Sequence, residues 1–90
     1  MQRADSDRLR LCRVAIVDDL DVERIIAPLI QGGIVTSEDY QLICSKPTTQ
    51  DRARYFLDIL PTKGPKAFCT FVQALKDYGY DWLADRLTNQ

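Results

Sequence analysis

The stretch that decides the fold is 60–75, LPTKGPKAFCTFVQAL, because it ends one helix, turns the chain and begins another. Pro61 removes a backbone donor and biases Leu60 away from helical angles, which predicts a helix end near Leu60. Gly64 permits a left-handed or tight turn, and Pro65 suits the first position of a new helix. The stretch is therefore typical of a helix–turn–helix corner in a small bundle.

The second half of this stretch has the periodicity of an amphipathic helix. Phe68, Phe71, Val72 and Leu75 recur at positions i, i+3, i+4 and i+7, which places them on one helical face. Such an apolar stripe indicates core packing and carries no chemical function of its own.

Outward from this corner, apolar stripes and helix signals predict six short helices. Thr36 with Asp39, and Thr48 with Asp51, have the spacing of capping boxes, and Gly32 and the glycine after it end a helix. No run alternates well enough to predict a strand. We predict an all-α, antiparallel bundle in one domain, residues 1–90, with helices at about 7–19, 21–31, 36–44, 49–60, 65–78 and 81–87.

Two helices contain residues that disturb a simple bundle. Arg13 lies within about 40° of the stripe formed by Leu9, Cys12 and Ile16, so either its head extends out from the core edge or the first helix is kinked. Pro28 lies inside the second helix and should bend it.

Charge and hydropathy limit the possible partners. The 90 residues carry a net charge of -1, with a sequence pI near 5.2, which argues against nucleic acid because phosphate binding needs a dominant basic face. No apolar run approaches the roughly 20 residues of a membrane span, and no signal peptide is visible. We expect a cytoplasmic protein with no membrane partner.

The residue types offer little for catalysis or metal binding. Cys12, Cys44 and Cys69 are odd in number and widely spaced, which predicts reduced, mostly buried thiols in a cytosolic or nuclear protein. The sequence contains no histidine and no close cysteine pair, so we expect no zinc site, no other metal, no cofactor and no usual base for a nucleophile. An enzyme is the least favoured class for this domain.

Four segments together resemble the caspase recruitment domains of the death-fold superfamily. Residues 8–22, RLRLCRVAIVDDLDV, are similar to the opening of initiator-caspase domains. Residues 32–54, GGIVTSEDYQLICSKPTTQDRAR, resemble the second to fourth helices of apoptotic protease-activating factors and innate-immunity proteins. Residues 59–75 and 77–87, with the K-G-P-x-A-F turn, resemble the last two helices of initiator caspases and their adaptor. The resemblance implies a six-helix, Greek-key death fold.

The resemblance also implies binding between two such domains, in apoptotic or innate-immune signalling. A basic face from the first and fourth helices would meet an acidic face from the second and third. Carried onto this sequence, the basic face is Arg10, Arg13, Arg52 and Arg54, and the acidic face is Asp18, Asp19, Asp21, Glu23, Glu38 and Asp39. The implied partner is another recruitment-domain protein: a caspase, an adaptor or an activating scaffold. Two different faces would also permit self-assembly into a filament or ring.

The sequence departs from the family pattern on both faces. Gln50 stands where the family often has a second basic residue, Arg52 lies about 160° around the helix from Arg54, and Ala27 replaces an acidic residue. The basic face is therefore the better defined of the two. Three functions remain open: a module for caspase activation, which we favour, a decoy that blocks such assembly, and a small helical nucleic-acid binder. The full-length parent could itself be a caspase.

Overall fold

The computed structural model describes residues 3–88, and in that range the chain is helical with no strand. Six α-helices are joined by short connections, with a 3-10 turn at Leu60–Thr62 between the fourth and fifth. The α-helices are α1 (Arg3–Asp19), α2 (Val22–Gln31), α3 (Ser37–Cys44), α4 (Thr49–Ile59), α5 (Ala67–Asp77) and α6 (Asp81–Thr88). The predicted all-α, six-helix architecture is confirmed.

Side-chain caps fix the starts of α3 and α4 as the sequence predicts. The Thr36 hydroxyl accepts a hydrogen bond from the Asp39 amide at 3.1 Å, and the Asp39 carboxylate accepts one from the Thr36 amide at 3.2 Å. This reciprocal pair satisfies two backbone donors at a helix start, where helical partners are absent. Thr48 caps α4 through one half of this arrangement: its hydroxyl accepts from the Asp51 amide at 3.0 Å, while the Asp51 carboxylate pairs with Arg54.

The end of α2 is a Schellman turn built on one glycine. Gly33 has φ +74°, a left-handed conformation that costs an L-residue with a side chain about 1–2 kcal/mol. The Ile34 amide donates to the Leu29 carbonyl at 2.9 Å, and the Gly33 amide donates to the Ile30 carbonyl at 3.1 Å. These bonds satisfy the last carbonyls of α2 and turn the chain toward α3.

The corner between α4 and α5 is longer than predicted. The 3-10 turn follows α4, Gly64 has φ +98°, and α5 begins at Ala67. Pro65 therefore lies in the turn before α5 and is not its first residue. The reason is that the Ala67 amide donates to the Gly64 carbonyl at 3.3 Å, which closes a tight turn before helical bonding starts.

The start of α1 also differs from the sequence prediction, whereas the start of α6 agrees with it. Helix α1 begins at Arg3, four residues before the predicted start, and continues to Asp19 as one helix. Helix α6 begins at Asp81, where the sequence predicts its start, and the Tyr80 carbonyl receives its first helical bonds.

The apolar stripes meet in one core centred on α5. Phe68, Phe71, Val72 and Leu75 are all buried, as their spacing predicts. The Phe71 ring packs against the Phe56 ring of α4, with centroids 5.3 Å apart and planes tilted by 58°. Tilted aromatic pairs of this kind add about 0.5–1.5 kcal/mol to the gain from burial.

Helices α1 and α4 pack side by side, so their solvent-exposed faces adjoin. Helix α1 packs against α4 and α6, α2 packs against α5 and α4, and α5 packs against α6. Helix α3 packs on α4 at the periphery and contributes one fully buried side chain, Ile43. Helix α4 therefore has α1 on one side and α2 with α3 on the other.

The three cysteines differ in burial, which corrects the expectation that they are mostly buried. Cys12 is buried, Cys44 is half-buried and Cys69 is exposed. Cys69 lies about 100° around α5 from Phe68, outside the apolar stripe. Across residues 3–88, no helix has the length and hydropathy needed to cross a bilayer.

Candidate functional site

Arg13 joins α1 to α4 at the surface. One terminal nitrogen of its guanidinium, Nη2, lies 2.9 Å from the Asp58 carboxylate and donates to the Arg54 carbonyl at 3.4 Å. The Arg13 side chain is 37% exposed, so its stem covers the core edge while its charged head reaches the surface. Because α1 is continuous through this position, the structure favours the extended arginine over the kinked helix.

Arg10 and Arg54 lie on either side of Arg13 and are also paired with carboxylates. Arg10 Nη2 is 2.6 Å from Asp7 Oδ1, and Arg54 Nη1 is 2.9 Å from Asp51 Oδ1. We call the surface formed by Arg10, Arg13, Arg54, Asp7, Asp51 and Asp58 the α1–α4 face. These three arginines and three aspartates carry no net charge together, so this face is a mosaic and not a uniformly basic patch.

Arg52 lies apart from the other predicted basic residues. Arg52 lies about 160° around α4 from Arg54, and its guanidinium points toward α2, where Nη1 is 3.4 Å from Glu23 Oε1. The Nε atom of Arg52 is buried and has no hydrogen-bond partner among residues 3–88. The predicted four-arginine face therefore separates into Arg10, Arg13 and Arg54 on one side and Arg52 on the other.

Glu23, predicted for the acidic face, is engaged by neighbours from two helices. Besides Arg52, the Cys44 thiol lies 3.9 Å from the Glu23 carboxylate. Hydrogen bonding and charge from the neighbouring Cys44 raise the pKa of Tyr40 above its ordinary value. The contacts tie α2, α3 and α4 together at the surface.

Asp21 and Asp39 have structural roles in addition to their charge. Asp21 caps α2 by accepting from the Glu23 amide at 3.2 Å. Asp39 belongs to the capping box of α3 and also forms an ion pair with Lys63, in the corner between α4 and α5. Its side chain is 15% exposed, and the Lys63 hydrogen bond holds the pKa of Asp39 below its ordinary value. Any partner that bound Asp39 would compete with these contacts.

The remaining predicted acidic residues are Asp18, Asp19 and Glu38. All three are exposed, and none forms an ion pair with another residue of the described range 3–88. Asp18 borders a cleft of about 140 Å³ that is also lined by Arg13, Val14, Val17 and Arg54. Asp18 therefore adjoins the α1–α4 face, and the predicted acidic residues do not form one continuous patch.

A second cleft lies on the other side of Arg13, between α1 and the end of α4. Its volume is about 210 Å³, and it is lined by Ser6, Leu9, Arg10, Arg13, Leu57, Asp58 and Pro61. Arg13 lines both clefts. Both can receive a side chain from another molecule beside a positive charge.

Exposed apolar residues accompany these charges, and the family resemblance did not place them on a binding surface. Leu11 and Val14 are 72% and 75% exposed on α1, and Val14 lines the smaller cleft. Leu42 is exposed on α3, four residues after Glu38 and thus on the same side of the helix. Helical-wheel spacing could have shown this, because Leu11 and Val14 point away from the buried stripe of α1.

The described residues contain no group of three or more His, Cys, Asp or Glu side chains placed to hold a metal ion. What the surface offers is convergent arginines, exposed apolar side chains and unpaired carboxylates on a small helical bundle. These features define a protein-interaction domain. They supply directional charge contacts and some apolar area, which are the usual components of a binding interface.

Comparison with known proteins identifies the family. The chain belongs to the caspase recruitment domain (CARD) family, whose model matches residues 6–90. It is 30% identical over 87 residues to caspase-2 of Gallus gallus and 33% identical over 90 residues to caspase-9 of Homo sapiens. Each match covers 97% of this chain but only 20% and 21% of those proteins, so the chain spans about a fifth of their length.

Membership confirms the resemblance and the death-fold bundle. CARDs are interaction domains that bind other CARD proteins, and they are not catalytic. The chain is therefore a homotypic protein-interaction module related to the CARDs of caspases.

Proposed function

We propose that this domain recruits, or is recruited by, a caspase-activating assembly through its α1–α4 face. The partner is the acidic surface of another CARD, carried by a caspase, an adaptor or an activating scaffold. The observation that carries the proposal is the convergence of Arg13 and Arg54 from two helices on one cleft, which the exposed Val14 also lines.

The strength of such a contact follows from its composition. An exposed ion pair contributes about 0–1 kcal/mol, and here each arginine exchanges one carboxylate for another. Charge therefore mainly selects the partner and its orientation, while burial of Leu11 and Val14 adds affinity at about 25 cal/mol per Å². A single contact of this kind is weak, and useful affinity requires several contacts per domain in one assembly.

A second surface would allow such an assembly to grow. Glu38 and Leu42 lie together on the outer side of α3, which packs on α4, whereas the arginines lie where α1 meets α4. Docking of this α3 surface onto the α1–α4 face of the next copy is a head-to-tail contact, which produces a ring or a filament. The net charge of -1 favours protein partners over nucleic acid, and we place the assembly in the cytoplasm, away from membranes.

A pull-down at low salt tests the proposal. The bait is this domain, and the panel contains a second copy of the domain, the CARDs of human caspase-9 and chicken caspase-2, and CARDs of adaptors and activating scaffolds. We expect at least one member to be retained and to be lost when Arg13 and Arg54 are both replaced by glutamate. Retention of no member, or equal retention by the double variant, would contradict the proposal.

A caspase-activation assay then separates the recruiter from the decoy. The domain is added alone, or fused to a caspase catalytic unit, in the presence of the captured partner. Activation of the fusion supports recruitment, whereas inhibition by the isolated domain with no activation of the fusion would indicate a blocking role.

A further inference from the structure

The Arg13–Asp58 pair differs from the two other ion pairs of the α1–α4 face. The two other pairs each lie within one helix, three residues apart: Arg10 with Asp7, and Arg54 with Asp51. Helical geometry alone brings such residues together. Arg13 and Asp58 belong to different helices. Their pair therefore exists only because α1 and α4 are packed side by side, at the rim of the larger cleft.

That cleft has two chemically different parts. Its floor is apolar, with Leu9 and Leu57 buried in the core and Pro61 at one end. Its rim carries the guanidinium groups of Arg10 and Arg13, and Asp58 places a carboxylate against Arg13 at 2.9 Å. A ligand that fits both parts has a carboxylate next to an apolar group.

We propose that this cleft is the subsite for an acidic side chain of the partner CARD, and that Asp58 occupies the position of that side chain in the free domain. This inference depends on the proposed function, since it names where on the α1–α4 face the partner's carboxylate binds. Binding transfers the Arg13 guanidinium from Asp58 to the incoming carboxylate, and an apolar neighbour of that carboxylate covers Leu9 and Leu57.

The exposure of the two side chains makes this exchange feasible. Asp58 is 62% exposed and Arg13 is 37% exposed, so the carboxylate can turn into solvent and be hydrated when the partner arrives. The two carboxylates compete for one cation, so Asp58 weakens partner binding and selects partners whose carboxylate is supported by apolar contact. A partner carboxylate without apolar contact binds the Arg13 guanidinium no more favourably than Asp58 does.

The expected effect follows from the size of an exposed ion pair. Removing a competitor worth up to about 1 kcal/mol should tighten partner binding by about two- to fivefold. Asp58→Asn keeps the shape of the side chain and removes its charge. Asp18→Asn is the matched control, because Asp18 also borders Arg13 and is exposed but forms no ion pair with another described residue.

The experiment measures the affinity of the strongest binder from the pull-down panel for four variants by isothermal titration calorimetry. They are Asp58→Asn, Asp18→Asn, Arg13→Gln and the double variant Arg13→Gln with Asp58→Asn, each checked for native circular dichroism. We expect Asp58→Asn to bind two- to fivefold tighter than the wild type and tighter than Asp18→Asn. In the Arg13→Gln background, Asp58→Asn should increase the affinity for the partner by no more than Asp18→Asn does in the wild type.

The outcomes separate this inference from the proposed function. If Arg13→Gln weakens binding but Asp58→Asn gains no more than Asp18→Asn, the α1–α4 face is the interface and the subsite assignment is wrong. If Arg13→Gln binds as tightly as the wild type, or the panel contains no binder, the face itself is wrong and the subsite with it. A gain from Asp58→Asn that persists without Arg13 would show that Asp58 acts by general charge and not as a placeholder.

Discussion

Reversing the charge of Arg13 should strongly weaken partner binding while leaving the domain folded. The side chain contributes one exposed ion pair, worth about 0–1 kcal/mol, and Arg13→Glu also places a like charge beside Asp58 at similar cost. The expected loss is about 1 kcal/mol of an unfolding free energy of about 5–13 kcal/mol for 90 residues. That loss lowers the melting temperature by about 4–8 °C. Facing an acidic partner, the new carboxylate repels, and affinity should fall by at least about tenfold.

The assay combines thermal melting, followed by circular dichroism at 222 nm, with titration of the captured CARD. Arg8→Glu is the matched control, because Arg8 lies on the same helix, about 140° around from Arg13, and undergoes the same charge change. The control should retain binding to within about twofold. Loss of helical signal in Arg13→Glu would show that Arg13 is structural, and unchanged affinity would show that the α1–α4 face is not the interface.

Three further predictions concern the core, the start of α3 and the salt dependence of binding. Phe71→Ala should lower the urea-unfolding free energy by about 3–5 kcal/mol by leaving a cavity against α4, whereas the exposed Val14→Ala should change it by less than about 0.5 kcal/mol; equal stability of the two would refute the packing of α5. Because Lys63 lowers the pKa of Asp39 in the folded state, this pair stabilises the domain above the unfolded carboxyl pKa of about 3.9, and the contribution is lost as pH falls through the lower folded value. Lys63→Met should therefore cost about 1 kcal/mol at pH 7 and flatten the acid limb of a stability–pH curve; an unchanged limb would show that the pair contributes nothing. Partner binding should weaken several-fold between 50 and 300 mM salt, because exposed charges are screened over roughly 8–10 Å near physiological ionic strength, and affinity independent of salt would mean that charge does not guide docking.

Local signals in the sequence were sufficient for most of the fold. The capping box of Thr36 and Asp39 and the apolar face of α5 depend on spacings of three and four residues, which a helix brings together regardless of the rest of the chain. The start of α5 was predicted two residues too early, since Pro65 is compatible with both a first helical position and the turn before it. Only the hydrogen bond between Ala67 and Gly64 selects the turn.

The candidate site was less predictable because it depends on contacts between helices. Helical geometry shows that Arg52 and Arg54 diverge, but not that Arg52 meets Glu23 of α2. The pairing of Arg13 with Asp58 requires the packing of α1 on α4 and a choice of side-chain conformations, neither of which has a local sequence signature. The sequence therefore named the three arginines of this face, together with Arg52, which lies elsewhere, but not the aspartates that pair with them. Those aspartates determine the charge that a binding protein meets.

The peripheral position of α3 has a consequence for the motions of the domain. This helix has one fully buried side chain, Ile43, and its first turn is held by Asp39 through the capping box and Lys63. Segments with few buried contacts open at a lower free energy than the core, so α3 should be the first helix to detach and the fastest to exchange its amide hydrogens. A partner that binds α3 would suppress this opening. Part of its binding free energy would then be used to hold α3 in its folded position.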